Sequence, residues 1–363
     1  MLRKHGKGRR SSPLWKGPEA DGITQNLLSR FLVDRERFRL LVVEGLRPAD
    51  SWNHRTGYGD MWHVCEQALA QHEKDGLWET RLWDHSRQKC QRFPTQVEEI
   101  TKWAEICKRQ FPLYVEHWRH HEDNQKRQNL MAEKVFDITY KLPSGRFVRL
   151  RGKWDSVDLI GSGKKARVYL QENKTKGDID EVQMKRQLTF DLQTMLYLVA
   201  LSCSGQKPAG TRYNVVRRPL SGGRGTIRPN AAKTKKDRKT GIVTIAKPAE
   251  TMPQFYDRLA GLIKADPDFY FMRWRTEVEL GDLMRFRGEC LDPVLEALCD
   301  WWGFITENPD PFFNAGGRGT HWRYPFGVYN PLDEGNASDL DEHLVSGSMV
   351  GLQRVENLFP ELT

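Results

Sequence analysis

The sequence predicts an α/β fold, with a central mixed β-sheet of four or five strands flanked by helices, a helical N-terminal part and a C-terminal extension. Three observations carry that reading. A Val-, Phe-, Leu- and Ile-rich run from Arg146 to Ile160 is followed by a turn at Gly161-Ser162-Gly163-Lys164 and a return from Ala166 to Asn173, the pattern of a β-hairpin. Further strand-like runs lie before it (Phe136–Leu142) and after it (Arg212–Arg218 and Phe269–Thr276). Between them, apolar residues recur at helical spacing.

Taken in order, residues 1–18 (MLRKHGKGRRSSPLWKGP) are basic and rich in Gly, Ser and Pro, and are expected to be disordered. A helix begins at Thr24, with Leu27, Leu28, Phe31 and Leu32 as its apolar stripe. Trp52–Gly59 reads as a loop, and Gly59 and Asp60 as the start and cap of a helix to about His72. Gln96–Asn129 reads as one long helix that would break, if anywhere, at Pro112. His117, His120 and His121 on it are surface or packing residues, because no carboxylate–His pattern accompanies them. Pro143-Ser144-Gly145 turns the strand Phe136–Leu142 into the hairpin, and a helix bearing Gln193 and Tyr197 follows. Beyond Arg218, the Gly- and Pro-bearing stretch Ser221–Gly241 is expected to be flexible. Thr251–Ala265 and Val278–Trp302 read as helices around the aromatic strand FYFMRWRT, whose Arg273 and Trp274 suit core packing better than base stacking. The expected division is a basic tail at 1–18, a core with its helical part at 19–215, a basic insertion at 216–250 and a C-terminal part packed on the core at 251–363.

The hairpin carries the chemistry. Folded about the midpoint of Gly163 and Lys164, it sets Asp155 opposite Glu172, and the period of two puts Lys174 on the face of Glu172. Asp158 then points the other way. Two carboxylates that close repel unless a cation neutralises them. A hard divalent ion such as Mg²⁺ would do so and keep positions for water and a phosphate oxygen. Lys174 could hold an attacking water or offset charge in the transition state.

Composition adds a partner class. The net charge is +9, and residues 1–16 hold six Lys or Arg and no acid. Residues 217–247 hold ten cations against Asp237 alone: Arg217, Arg218, Arg224, Arg228, Lys233, Lys235, Lys236, Arg238, Lys239 and Lys247. Two such segments in an otherwise acidic chain suggest contact with a polyanion, and the first nine of these cations are the candidate nucleic-acid-binding residues. No apolar run approaches the ~20 residues that span a bilayer, and Leu40–Val43 is too brief for a signal-peptide core. The expectation is a cytoplasmic, reducing location with no membrane partner. No pair of the six cysteines has the C-x₂-C spacing of a zinc or redox site.

These residues resemble a known family. Asp155…Glu172-Asn173-Lys174 is similar to the D…(D/E)-x-K signature of the PD-(D/E)XK nuclease superfamily. Gln193-Thr-Met-Leu-Tyr197 resembles the Q-x-x-x-Y motif of its RecB-like exonuclease branch, to which CRISPR-adaptation nucleases also belong, and Gly59-Asp-Met-Trp-His63 resembles that branch's helix with a metal-binding histidine. The resemblance implies a restriction-endonuclease-like core and a Mg²⁺- or Mn²⁺-dependent DNA exonuclease of repair, recombination or phage DNA processing. His63, Asp155, Glu172 and the Asn173 carbonyl would bind metal, Lys174 would act at the nucleophile, and Gln193 and Tyr197 would position the strand or support the site. Some such relatives hold an Fe–S cluster. Here Asp34 stands at the early cysteine position and residues 308–330 contain no Cys, so no cluster is expected. With no GxxxxGK[ST] motif the chain is not its own helicase motor, and a helicase or recombination protein would be a partner. The rival readings are a non-catalytic DNA-binding protein on a nuclease fold and a restriction-type endonuclease.

Overall fold

The computed structural model describes residues 13–307 and 352–362, apart from 49, 72–76, 122–123, 125, 190, 221–226, 237, 239–240 and 242. Its centre is a mixed five-stranded sheet built from β1 (Arg127–Lys141), β2 (Phe147–Ile160), β3 (Arg167–Lys176), β4 (Pro208–Arg217) and β7 (Phe271–Glu277), in the spatial order β1-β2-β3-β4-β7. β1, β2 and β3 form an antiparallel meander. The crossover from β3 to its parallel neighbour β4 runs through α5 (Glu181–Thr189) and α6 (Leu192–Cys203), and β7 closes the far edge antiparallel to β4.

Helices cover both faces. α1 (Gln25–Val33), α6 and α8 (Asp292–Glu307) share one apolar cluster with the sheet through Leu28, Phe31, Leu150, Val157, Leu196, Val199, Leu298 and Trp301. On the opposite face α2 (His54–Gln71), α3 (Leu77–Arg92), α4 (Val97–Trp118) and α7 (Met252–Ala265) pack through Trp62, Phe111, Tyr114, Phe255 and Phe271. Burying an apolar stripe of each helix on a sheet face is what the two-layer pattern requires. Among the described residues no helix is long and apolar enough to cross a membrane.

Several boundaries differ from expectation. α2 starts at His54, well before Gly59, because the Asn53 carboxamide oxygen accepts the Arg55 N–H (2.8 Å) and its carbonyl the Gly57 N–H (2.7 Å). α4 runs through Pro112 but stops at Trp118, and Arg127–Asn129 belong to the sheet: β1 is fifteen residues long because β2 offers it a matching ladder. The basic stretch after Arg218 contains a two-stranded hairpin, β5 (Lys233–Lys236) and β6 (Val243–Lys247). Residues 13–18 are packed rather than loose. Trp15 is fully buried against Phe38 and Trp302, and its indole N–H donates to the Gly22 carbonyl (2.8 Å). Near the other end Leu352–Arg354 pairs with Leu46–Pro48. Arg224, Lys239 and residues 308–330 lie outside the described residues.

Candidate metal and phosphoryl-transfer site

The register expected from the Gly161–Lys164 turn is the register found, with Ser156 opposite Gln171 and Ile160 opposite Arg167. The β2–β3 ladder ends at Ser156–Gln171. One residue further on, the Asp155 carboxylate takes over and accepts the main-chain N–H of Asn173 at 2.9 Å. That bond pins Asp155 where the strands part. The Asn173 side chain turns away from it, its carboxamide oxygen accepting from Gln171 (3.3 Å) and Asn214 (3.0 Å).

Glu172 and Lys174 point to the α6 side. Lys174 Nζ donates to Glu172 Oε2 (3.0 Å) and to Gln193 Oε1 (2.8 Å), and Gln193 Nε2 donates to Glu172 Oε2 (3.1 Å). The triangle is closed by the start of α6, where the Asp191 carboxylate caps the helix by accepting the Thr194 N–H (3.1 Å). Gln193 thereby sits in the first turn of a helix fixed to the sheet. Tyr197, one turn on, packs its ring edge-on to Phe136 (5.3 Å), over Gly152, where an added Cβ would come within 2.6 Å of Phe136 and 3.0 Å of Tyr197. It braces α6 on β2 while Gln193 meets Lys174.

From the other face α2 delivers His63. Its Nδ1 lies 3.7 Å from Asp155 Oδ2 and 3.7 Å from Glu133 Oε1. Glu133 is a site residue that sequence reasoning missed. It sits in β1 between the Ala132–Ser156 and Lys134–Trp154 pairs, and its second oxygen is 2.7 Å from Lys153 Nζ. With φ +48° it is the one non-glycine residue of positive φ among those described. A side chain in that region costs on the order of 1–3 kcal/mol and persists where its surroundings hold it. Here the twist turns the carboxylate inward to His63. No local signal marked it, since Ala132-Glu133-Lys134 reads as an ordinary charged stretch.

His63, Glu133 and Asp155 each offer a ligand atom within 4.8 Å of the others, the spacing of a metal-binding group. Glu172 stands outside that trio, yet its side chain is 1% exposed and its Oε1 is buried with no hydrogen-bond partner. A buried, orphaned carboxylate oxygen beside an imidazole and two further carboxylates fits a divalent cation, and the mixed N/O donor set suits Mn²⁺ or Mg²⁺. The electrostatics agree. Burial, reinforced by Asp155 and opposed by Lys174, pushes the Glu172 carboxyl up to about 7. Burial works against charge on His63, but Asp155 and Glu133 outweigh it and raise the imidazole to about 9. On Lys174 the same contest, burial against Glu172 and Asp155, ends above the ordinary lysine value.

The candidate DNA-binding residues separate. Arg217 is a correction: it is buried, donating to Phe269 O (3.0 Å) and Asp178 Oδ1 (3.0 Å), with its guanidinium 4.0 Å over the Phe269 ring. It ties β4 to the segments beside it. Arg218 is also largely buried, its guanidinium weakened as a base by burial and by Arg55. Arg228, Lys233, Lys235, Lys236 and Arg238 are exposed.

Comparison with known proteins adds the last observation. The model of the PD-(D/E)XK nuclease superfamily matches residues 25–272, which span α1 to the first residues of β7 and include every site residue described above. No curated protein matches the chain.

Proposed function

Because the chain belongs to the PD-(D/E)XK nuclease superfamily, we propose that its nuclease-type function is metal-dependent hydrolysis of DNA phosphodiesters, as an exonuclease of the RecB-like type serving DNA repair, recombination or phage DNA processing. The observation that carries the reading is the buried, orphaned Glu172 oxygen beside the His63–Glu133–Asp155 trio, with Lys174 and Gln193 locked to the same carboxylate.

His63, Glu133, Asp155 and Glu172 would hold the ion, with the Asn173 carbonyl as a further donor. A divalent cation bound there polarises a phosphoryl oxygen and lowers the pKa of water. The protein's own part is orientation and charge. Lys174 keeps its proton and presents a buried ammonium at the place where negative charge develops on the phosphate. Gln193 fixes that ammonium from α6, so Lys174 does not have to be ordered during the reaction. Tyr197 supports the helix that carries Gln193. The Gln193–Tyr197 helix and His63 favour the exonuclease over the restriction-type endonuclease, and the presence of every expected residue type favours an enzyme over a binding protein.

The test is cleavage of end-labelled linear and closed circular DNA by wild type and Asp155→Ala, each with Mg²⁺, Mn²⁺ or EDTA. Metal-dependent loss of linear DNA alone, abolished by the substitution, is the expected result. Nicked circles would instead establish an endonuclease, and band shifts without cleavage a binding protein.

A further inference from the structure

Among the described residues, the hairpin β5–β6 has no packing partner that explains it. Every residue of both strands is exposed, including Val243 (58%) and Ile245 (69%). A lone two-stranded ribbon is marginally stable in water, because neither face is covered. This one is nevertheless held firmly at its base. Glu250 and Asn230 exchange main-chain and side-chain bonds: the Glu250 N–H donates to Asn230 O (2.9 Å), and the Asn230 N–H to Glu250 Oε2 (2.8 Å). Arg258 on α7 donates to both Glu250 oxygens and to the Arg228 carbonyl, each at 2.8 Å. The bidentate ion pair holds the Glu250 carboxyl at about 2, well below the ordinary range. The molecule therefore fixes the root of a ribbon and leaves its blade uncovered.

The blade's charge identifies its complement. The strands carry Lys233, Lys235, Lys236 and Lys247 and no acid. Alternation puts Lys233 and Lys235 on one face, and Lys236 on the other, opposite Val243 and beside the Thr234–Ile245 pair. Cations thus project from both faces, with aliphatic groups between them. Neither strand has an aromatic residue, so the ribbon is not a stacking platform for unpaired bases. The major groove of B-DNA is about 12 Å wide, admits a two-stranded β-ribbon and is walled on both sides by phosphates. We infer that the β5–β6 ribbon inserts into a groove of duplex DNA and makes double-stranded DNA the preferred substrate. This rests on the DNA-nuclease reading above and adds to it the strandedness of the substrate.

The experiment measures binding of a labelled blunt duplex and of the same-length single strand by fluorescence anisotropy at several salt concentrations, in the cleavage-dead Asp155→Ala protein with EDTA. Two ribbon variants are compared with it. One changes Lys233, Lys235, Lys236 and Lys247 to Gln; the other joins Asn230 to Glu250 by a short Gly-Ser linker, keeping the Arg258 clamp. The expected result is that the duplex-to-single-strand affinity ratio falls by about tenfold or more in both, and that the slope of log K against log salt for duplex shrinks by about 3–4 in the Gln variant. Equal losses for the two DNAs, an unchanged duplex affinity, or a starting protein without duplex preference would each overturn the inference. The wild-type cleavage assay is read separately. Cleavage with an unmoved ratio defeats the ribbon and leaves the nuclease, whereas a collapsed ratio without cleavage does the reverse.

Discussion

At the scale of single residues, the site is a set of charges waiting to be exchanged. The His63 imidazole, raised to about 9, is protonated at pH 8, and a metal ligand must be neutral. Binding of Mn²⁺ at pH 8 should therefore release close to one proton. Isothermal calorimetry in two buffers of different ionisation enthalpy reads that number directly, and a His63→Gln protein should show the release diminished. Glu172 gives a stability prediction. Its folded carboxyl titrates at about 7 against an ordinary value of 4.5, so across that window the folded protein holds a proton that the unfolded chain has lost. Stability without metal should fall as pH rises from 4.5 through 7, by about 3 kcal/mol from this group. Denaturant titrations at pH 5 and pH 8 in EDTA should show a larger fall in wild type than in Glu172→Gln, where only the raised His63 imidazole still contributes, and that variant would also be inactive. The placement of these residues was largely legible in the sequence, because strand alternation and a two-glycine turn set the relation of Asp155, Glu172 and Lys174. Glu133 was not legible, because its place depends on a positive φ that no Glu advertises.

At the scale of elements, α2 and α4 are bolted to the sheet through a buried polar pair. The Gln110 side chain accepts the Tyr58 hydroxyl and donates to the Arg217 carbonyl (2.9 Å), fully buried between the helices and the sheet. Gln110→Ala would orphan both partners and should cost roughly 2–4 kcal/mol of unfolding free energy, measured by denaturant titration. Because α2 carries His63, the same variant should lose metal affinity as well. Elements show why sequence reading falters at boundaries. The Thr24 and Thr251 caps were readable where side-chain oxygens meet the next helix turn. The start of α2 was hidden because Gly57 and Gly59 look like loop residues, while Gly57 is in fact demanded by the Trp52 indole, whose Nε1 would lie 2.3 Å from any Cβ there. The first residues of β1, Arg127–Asn129, read as helix in the sequence because their partner strand, β2, lies on the far side of a turn that local periodicity does not see.

At the scale of the whole molecule, both ends of the described chain close onto the core. Trp15 fills the space between Phe38 and Trp302, and Phe359 lies under the Arg151 guanidinium at 4.5 Å. Trp15→Ala should destabilise the protein by roughly 3–5 kcal/mol, visible as a lowered thermal midpoint, although Trp15 touches no site residue described here. The sequence reading treated residues 1–18 as one basic tail because six cations dominate the first sixteen residues. A single buried indole outweighs that average, and only three-dimensional packing reveals it.

The parallel pairing of β3 with β4 sets the order in which the molecule becomes dangerous. Glu172 is paired across the sheet with Tyr213, some forty residues further along the chain, and β7, which backs β4, comes later still. A nascent polypeptide that extends only to Tyr197 holds every candidate site residue and still lacks the strands that pair beside Glu172. The candidate site would thus be completed only once the far edge of the sheet had been laid down.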